Sequence, residues 1–190
     1  MLIIFLATLY YSFENPPDSR PRLPLDKLEW IPAVYVHSER SFDEVERFVE
    51  ECSAKYCLDV VRLQFPLKEA FKSYLEQKDY IKTILVGIRR ADPYGNELQY
   101  IQRTDHGWPD FLRVHPVLEW HYVEVWDFLR VLEIPYCVLY DQGYTSLGGT
   151  NNTAKNPFLE TEQTDSAGNR MYRPAYDLTD DDKERLGRLQ

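Results

Sequence analysis

The sequence predicts an α/β protein built on a parallel sheet, and three observations carry that reading. Short apolar runs that read as buried strands alternate with stretches whose apolar residues recur at helical spacing, the pattern of strands joined by crossover helices. The chain has 190 residues at 44% hydrophobic and 14% aromatic, which suits one core and a single domain over 1–190. Cys52, Cys57 and Cys137 form no CxxC pair and leave an odd one over, so neither a disulfide framework nor a zinc site is signalled. A reducing, cytoplasmic compartment fits.

Met1–Tyr11 is uncharged and apolar. It falls short of the roughly 20 residues that a bilayer span needs. It also lacks the basic start and small-residue cleavage site of a secretory signal, so a buried helix is expected and no membrane. Residues 15–24 form a proline-rich connector, and Trp30–Val36 follows as a strand. Ser41-Phe42-Asp43-Glu44 reads as a capping box before a helix with Phe42, Val45, Phe48, Val49 and Cys52 on one face. Leu58–Phe65 is the next strand. Pro66 opens a helix with Leu67, Ala70, Phe71, Tyr74 and Leu75 at i, i+3, i+4, i+7 and i+8, and Thr83–Ile88 is a third strand. A βαβαβ order places ligands beyond the carboxyl ends of the strands, at residues 37–40 and 89–95. Farther on, Tyr122, Val125, Trp126, Leu129 and Leu132 mark a helix, and Tyr136–Tyr140 a short strand. From Gly143 onward, glycines, Asn151-Asn152, Pro157 and Pro174 break any period, which predicts an irregular arm over about 143–190, either long and ordered or partly mobile.

Charge and motifs exclude several classes. Lys and Arg total 22 against 31 Asp and Glu, a net charge of −9 that lacks the basic footprint of a nucleic-acid binder. His37, His106, His115 and His121 show no HExxH or Cys/His ligand spacing, and there is no Gly-x-Ser-x-Gly, Walker A or Gly-x-Gly-x-x-Gly run. Three constellations carry chemistry. In Gly87-Ile88-Arg89-Arg90-Ala91-Asp92-Pro93-Tyr94-Gly95 a strand runs into two guanidiniums and a carboxylate. That suits a nucleotide phosphate with Mg²⁺, the other reading being a surface loop with an internal Arg–Asp pair. In Thr104–Arg113, Trp108 and Phe111 suit either stacking on a planar ring, with Asp105 accepting ring N–H bonds, or core filling. Arg185 and Arg188 stand three apart in a charged tail, either recruited to a ligand or solvated.

At these residues the chain resembles the fungal-type eukaryotic FAD synthases, FMN adenylyltransferases of PAPS reductase-like fold. The resemblance rests on Gly87–Pro93, on Thr104-Asp105 with Trp108-Pro109-Asp110-Phe111 and Arg113, and on Pro116-Val117-Leu118-Glu119-Trp120. It continues through Tyr144-Thr145-Ser146-Leu147-Gly148 and Glu184-Arg185-Leu186-Gly187-Arg188, in the family's order. It implies a Rossmann-like parallel sheet of the adenine nucleotide alpha hydrolase type and the reaction FMN + ATP → FAD + pyrophosphate, with Mg²⁺. By the same resemblance Asp92 lies near the reacting phosphates and metal, with Gly87, Arg89 and Arg90 on the nucleotide side. Asp105, Trp108 and Arg113 then hold FMN, and Arg185 and Arg188 close on phosphate. The family's phosphate loop, of the type Ser-Phe-Asn-Gly-Gly-Lys-Asp, is not found in this sequence, and Met1–Leu6 resembles the middle of the helix that follows it. The expectation is therefore an N-terminally truncated domain. The alternative is a catalytically incomplete flavin- or nucleotide-binding remnant of the family. A PAPS reductase is disfavoured, because that chemistry uses a cysteine near the C-terminus and none follows Cys137.

Overall fold

The computed structural model describes residues 30–37, 40–64 and 66–189. The apolar start Met1–Tyr11 and the connector 15–24 lie outside the described residues, as do Ser38 and Glu39 in the loop after the first strand.

Strand β1 (Ile31–His37) pairs in parallel with β2 (Leu58–Gln64) over seven positions, from Ile31 opposite Leu58 to His37 opposite Gln64. The crossover is α1 (Asp43–Lys55), whose predicted face is the buried one: Phe48, Val49 and Cys52 are buried, and Phe42 and Val45 pack beside them. The expected capping box does not form. Phe42 is the N-cap without a side-chain cap bond, and the Ser41 hydroxyl is engaged with the Glu46 carboxylate, which Tyr35 and Arg62 also bind. This network competes for the capping hydroxyl, and the acidic first turn of Asp43, Glu44 and Glu46 complements the helix dipole instead.

Helix α2 (Leu67–Gln77) starts after Pro66 as predicted, and buries Ala70 and Tyr74. It leads to β3 (Thr83–Leu85), shorter than the sequence suggests. Among the described residues β3 does not hydrogen-bond to β1 or β2. It pairs in parallel with β5 (Leu112–Val114), which pairs antiparallel with β4 (Ile101–Arg103), giving a three-stranded sheet of order β3-β5-β4. The sequence signal for β4 and β5 is missing because three residues are too few to show a period of two. The β3–β5 neighbourhood continues past the strands, with Val86 N bonding Val114 O and Arg90 N bonding Leu118 O.

Helix α3 (Tyr122–Val131) buries Tyr122 and Trp126 against Leu159, Ala175 and Leu178. Tyr136–Tyr140 is not a strand: Val138–Gln142 forms a 3-10 turn, with Tyr136 and Tyr140 both edge-on to Trp126. The arm is ordered, the first of the two readings its composition allows. It holds the hairpin β6 (Glu160–Thr164) and β7 (Arg170–Tyr172), and a 3-10 run, Asp181–Gly187, that we call the strap. Three of its apolar side chains, Leu159, Ala175 and Leu178, are core for α3. Buried apolar contact rather than periodicity orders this stretch.

Candidate active site

Strand β3 delivers Gly87–Asp92 to the carboxyl end of its sheet. There the Arg89 guanidinium turns inward and is buried, donating to Asp92 Oδ1 at 3.0 Å and to the Glu184 carboxylate, while its backbone N–H donates to Asp92 Oδ2 at 2.8 Å. Burial alone disfavours the charged guanidinium, yet the bond it donates to Asp92 and the charge of Glu184 more than offset it and hold Arg89 firmly protonated. Arg90 faces the other way. Its Nε and Nη2 donate to Glu119 Oε1 at 2.9 and 2.7 Å, and its Nη1 to the carbonyls of Asn96 and Leu98 at 3.1 and 2.5 Å. This pins the turn that follows. Gly95 is required there, since a Cβ built on it would sit 2.0 Å from the Arg89 carbonyl oxygen. At the turn's tip Tyr94 is 96% exposed.

The strap closes over the same end. Asp181 Oδ1 accepts from Tyr122 N and its Oδ2 bonds His121 Nδ1, both at 2.6 Å, at the start of α3. The Glu184 and Lys183 carbonyls accept from Thr145 Oγ1 at 2.5 Å and Asn156 Nδ2 at 2.8 Å. Gly187 O accepts from Ala154 N at 2.8 Å, and Arg188 bridges to Thr153. The Arg188 guanidinium lies on Gly148. Its Nε is buried and has no hydrogen-bond partner among the described residues, and burial together with neighbouring Arg185 pulls its pKa below the usual arginine range.

The third constellation is the loop between β4 and β5, which register places at the amino end of β5, where Arg103 opposes Leu112 and Leu112 opposes Thr83. Thr104 fastens the loop, its hydroxyl bonding Pro109 O at 2.7 Å and accepting from Phe111 N at 3.1 Å. The two readings of its aromatics divide between residues: Phe111 is buried core, whereas Trp108 is 37% exposed with Phe71 of α2 6.2 Å away. Asp105 is exposed at the tip beside His106, at 3.6 Å, and Arg103 and Asp110 form a bidentate pair at 2.5 Å. Arg113 lies inside the sheet between Ile84 and Gln102, its buried Nε also without a partner among the described residues. The expected site residues thus fall into two groups, Arg89, Arg90 and Asp92 at one end of β3, tied through Glu184 to the segment that carries Arg185 and Arg188, and Asp105 and Trp108 at the other, with Arg113 between.

A family model described as the phosphoadenosine phosphosulfate reductase domain matches residues 66–155. A probable FAD synthase of Schizosaccharomyces pombe is 42% identical over 187 residues, covering 98% of this chain and 67% of the relative. The chain belongs to the FAD synthase family. The flavin adenine dinucleotide synthase of Saccharomyces cerevisiae is 35% identical over 176 residues, covering 88% of this chain and 58% of the relative. Among solved structures, Candida glabrata FMN adenylyltransferase in complex with FMN and an ATP analogue matches with a TM-score of 0.78 at 30% identity, over 84% of this chain and 70% of that one. The fold is accordingly the PAPS reductase-like α/β fold of the FAD synthases. This chain spans between 58% and 67% of the length of the two fungal relatives.

Within this FAD synthase-family fold the sequence did not single out Glu184 alone, Asn156 or the His121–Asp181 pair. Glu184 sits in a charged tail that reads as solvated, and Asn156 in a polar loop, yet Asn156 is 0% exposed. The one local signal was Asn156-Pro157, a turn-starting dipeptide. Among the described residues no group of three or more His, Cys, Asp or Glu could hold a metal ion. Asp92 is nevertheless compatible with Mg²⁺, which commonly binds through one or two carboxylates and completes its shell with substrate phosphates and water. No helix of the described residues is long and apolar enough to cross a membrane.

Proposed function

We propose that this chain is an FMN adenylyltransferase, which joins the FMN phosphate to the α-phosphorus of ATP and releases pyrophosphate. The observation that carries the reading is that Arg113 and Arg188, two arginines expected to meet substrate, are buried in part with an unpaired Nε among the described residues. A buried guanidinium donor without a partner is costly, and an anionic ligand satisfies it. The elongation of the site supports the same reading. FMN has a planar ring at one end and a phosphate at the other, and the two groups of residues are separated by the length of β5 and its continuation, about 10 Å or more at ~3.3 Å per residue.

In this reading Trp108, backed by Phe71, faces the flavin ring, Asp105 accepts from its N–H groups, and Arg113 binds from within the sheet. Arg185 and Arg188 neutralise phosphate charge, while Arg89 and Arg90 hold the nucleotide-side turn that begins at Gly87. Asp92 would hold Mg²⁺ together with the substrate phosphates, the ion supplying charge neutralisation. The transfer needs no covalent nucleophile: the FMN phosphate oxygen attacks phosphorus in line, so positioning and charge stabilisation carry the rate. Three free cysteines suit a reducing, cytoplasmic setting, and the acidic balance suits small-molecule substrates rather than nucleic acid. A binding-only role is the second reading, because no Ser-Phe-Asn-Gly-Gly-Lys-Asp-type run is part of these 190 residues.

The test is to incubate the purified chain with FMN, ATP and Mg²⁺ and to separate the flavins chromatographically. FAD and pyrophosphate in equal amounts are expected. Saturable FMN binding without FAD would move the assignment to the binding-only role, and neither would overturn both.

A further inference from the structure

The Arg89 guanidinium is reached from two sides, by Asp92 of the turn after β3 and by Glu184 of the strap, 95 positions later in sequence. Both carboxylates are mostly shielded, with side-chain exposures of 21% and 15%. Resting on the adenylyltransferase reading, we propose that Glu184 is a positioning residue. By sharing Arg89 with Asp92, it locks the Asp92 turn and the segment bearing Arg185 and Arg188 into one geometry, so that metal-side carboxylate and phosphate-side guanidiniums meet the same phosphate together.

The shared cation makes Arg89 a fork and not a free phosphate binder. Two of its donor groups point at Asp92, one from backbone and one from side chain, and the guanidinium also serves Glu184. The Glu184 backbone carbonyl adds a second tie, accepting from Thr145 Oγ1, which itself accepts from the fully buried Asn156. Side chain and main chain of one residue therefore bind the strap to two different segments, and Arg185 follows directly in sequence. Removing the carboxylate leaves Asp92 as the remaining carboxylate partner of Arg89 and frees the strap at the point nearest its arginines. Burial raises the pKa of the Glu184 carboxyl above its ordinary value, against the pull of Arg89.

The experiment compares the whole chain with Glu184→Gln, which keeps the shape and removes the charge, and with Glu184→Asp, which keeps the charge and shortens the reach. For Glu184→Gln, kcat for FAD formation should fall about 10–100-fold, as a displaced catalytic group costs. KM for FMN should rise by less than kcat falls, since the ring end of the site lies beyond the other end of β5 and keeps its contacts. Adding Arg185→Ala to Glu184→Gln should cost less than it does in the wild type, because the strap is already displaced. Amide exchange at Ala154, Arg188 and Leu189 should quicken about tenfold or more. Wild-type kcat, full additivity with Arg185→Ala, or unchanged exchange would overturn the proposal. If the wild type makes no FAD, the adenylyltransferase reading fails by itself, and pyrophosphate affinity then decides. Weaker pyrophosphate binding by about tenfold in Glu184→Gln, with a smaller change in FMN binding, supports the positioning role, and equal pyrophosphate affinity overturns it. Should Glu184→Gln not fold, Glu184→Asp is read against the same criteria.

Discussion

A Cβ placed on Gly148 would lie 2.3 Å from Nη2 and 2.5 Å from Cζ of Arg188, so the guanidinium keeps its place only because the position lacks a side chain. The obstructing atoms end a flexible side chain, which can swing away at small cost in stability. Gly148→Ala should therefore leave unfolding free energy within about 1 kcal/mol. FAD formation should drop by about 10²–10³, the usual loss when a charge-stabilising donor leaves the transition state. Denaturant unfolding beside steady-state rates checks both halves, and a large stability loss with normal turnover would contradict the assignment of Arg188. Asn156 is the opposite case. It donates to Thr145 Oγ1 and to Lys183 O, both at 2.8 Å, and accepts from Phe158 N at 2.9 Å, all from a site closed to solvent. Asn156→Ala leaves the Lys183 carbonyl and the Phe158 amide unpaired, and should cost about 2–4 kcal/mol in equilibrium unfolding. Gly148 stood in the Tyr144–Gly148 motif without its partner being legible, and Asn156 was not marked at all, because a glycine's close contact and an asparagine's burial arise only when distant segments meet.

Secondary elements separate what the sequence could and could not say. Helices α1, α2 and α3 were readable from apolar spacing, since ten or more residues sample a period of 3.6 several times. The hairpin loop between β4 and β5 was recognisable by its residues and not by its form, for its flanking strands have three residues each. If its tip holds the flavin, the half-exposed Trp108 should quench bound FMN fluorescence. Trp108→Ala should remove most of that quenching and weaken FMN binding by about 0.5–1.5 kcal/mol or more in a fluorescence titration. The strap's anchorage at the start of α3 should depend on pH. The Asp181 carboxylate holds a proton on His121 and raises its pKa, while His121 and the Tyr122 amide, against the effect of burial, hold Asp181 below the usual carboxylate range. A raised histidine contributes fully below its unfolded value of about 6.5 and loses that contribution as pH rises through the folded value. A depressed aspartate contributes above about 3.9 and loses that as pH falls through its own lowered value. The anchorage should be firmest between about pH 4 and 6.5. Protection factors for amides of residues 182–189 should fall on going to mildly alkaline pH, and His121→Gln should flatten that dependence.

At the scale of the molecule, the alternation of strand and helix was enough to foresee the α/β class and a parallel pairing, and β1 with β2 fulfils it. It was not enough to place β3. A helix between two strands says that they run parallel and not that they are neighbours, and β3 finds its partner in β5, a strand too short to be seen in advance. Of the two readings of the arm, ordered or partly mobile, the structure has the ordered one. Composition without period could not choose between them, whereas Leu159, Ala175 and Leu178 are buried against α3, and the strap is tied through Asp181, Lys183, Glu184 and Gly187. The motifs expected to form a site were legible one by one as residue types, whereas their grouping into two ends followed from the register of β3, β4 and β5.

The ties that join the strap to the body span long loops, 95 residues from Arg89 to Glu184 and 60 from His121 to Asp181. Closing such loops costs chain entropy before any contact rewards it. The helices and the β1–β2 unit can form from nearby residues, so the strap should dock after the rate-limiting step of folding, with its contacts absent from the transition state. Substitutions that weaken it then act on one side of the barrier. Glu184→Gln and Asp181→Asn should leave the refolding limb of a chevron plot where it is and steepen the loss of the native state, raising the unfolding rate by nearly the whole stability change. The phosphate end of the site would thus be the last part of the protein to be made by folding and the first to be given up.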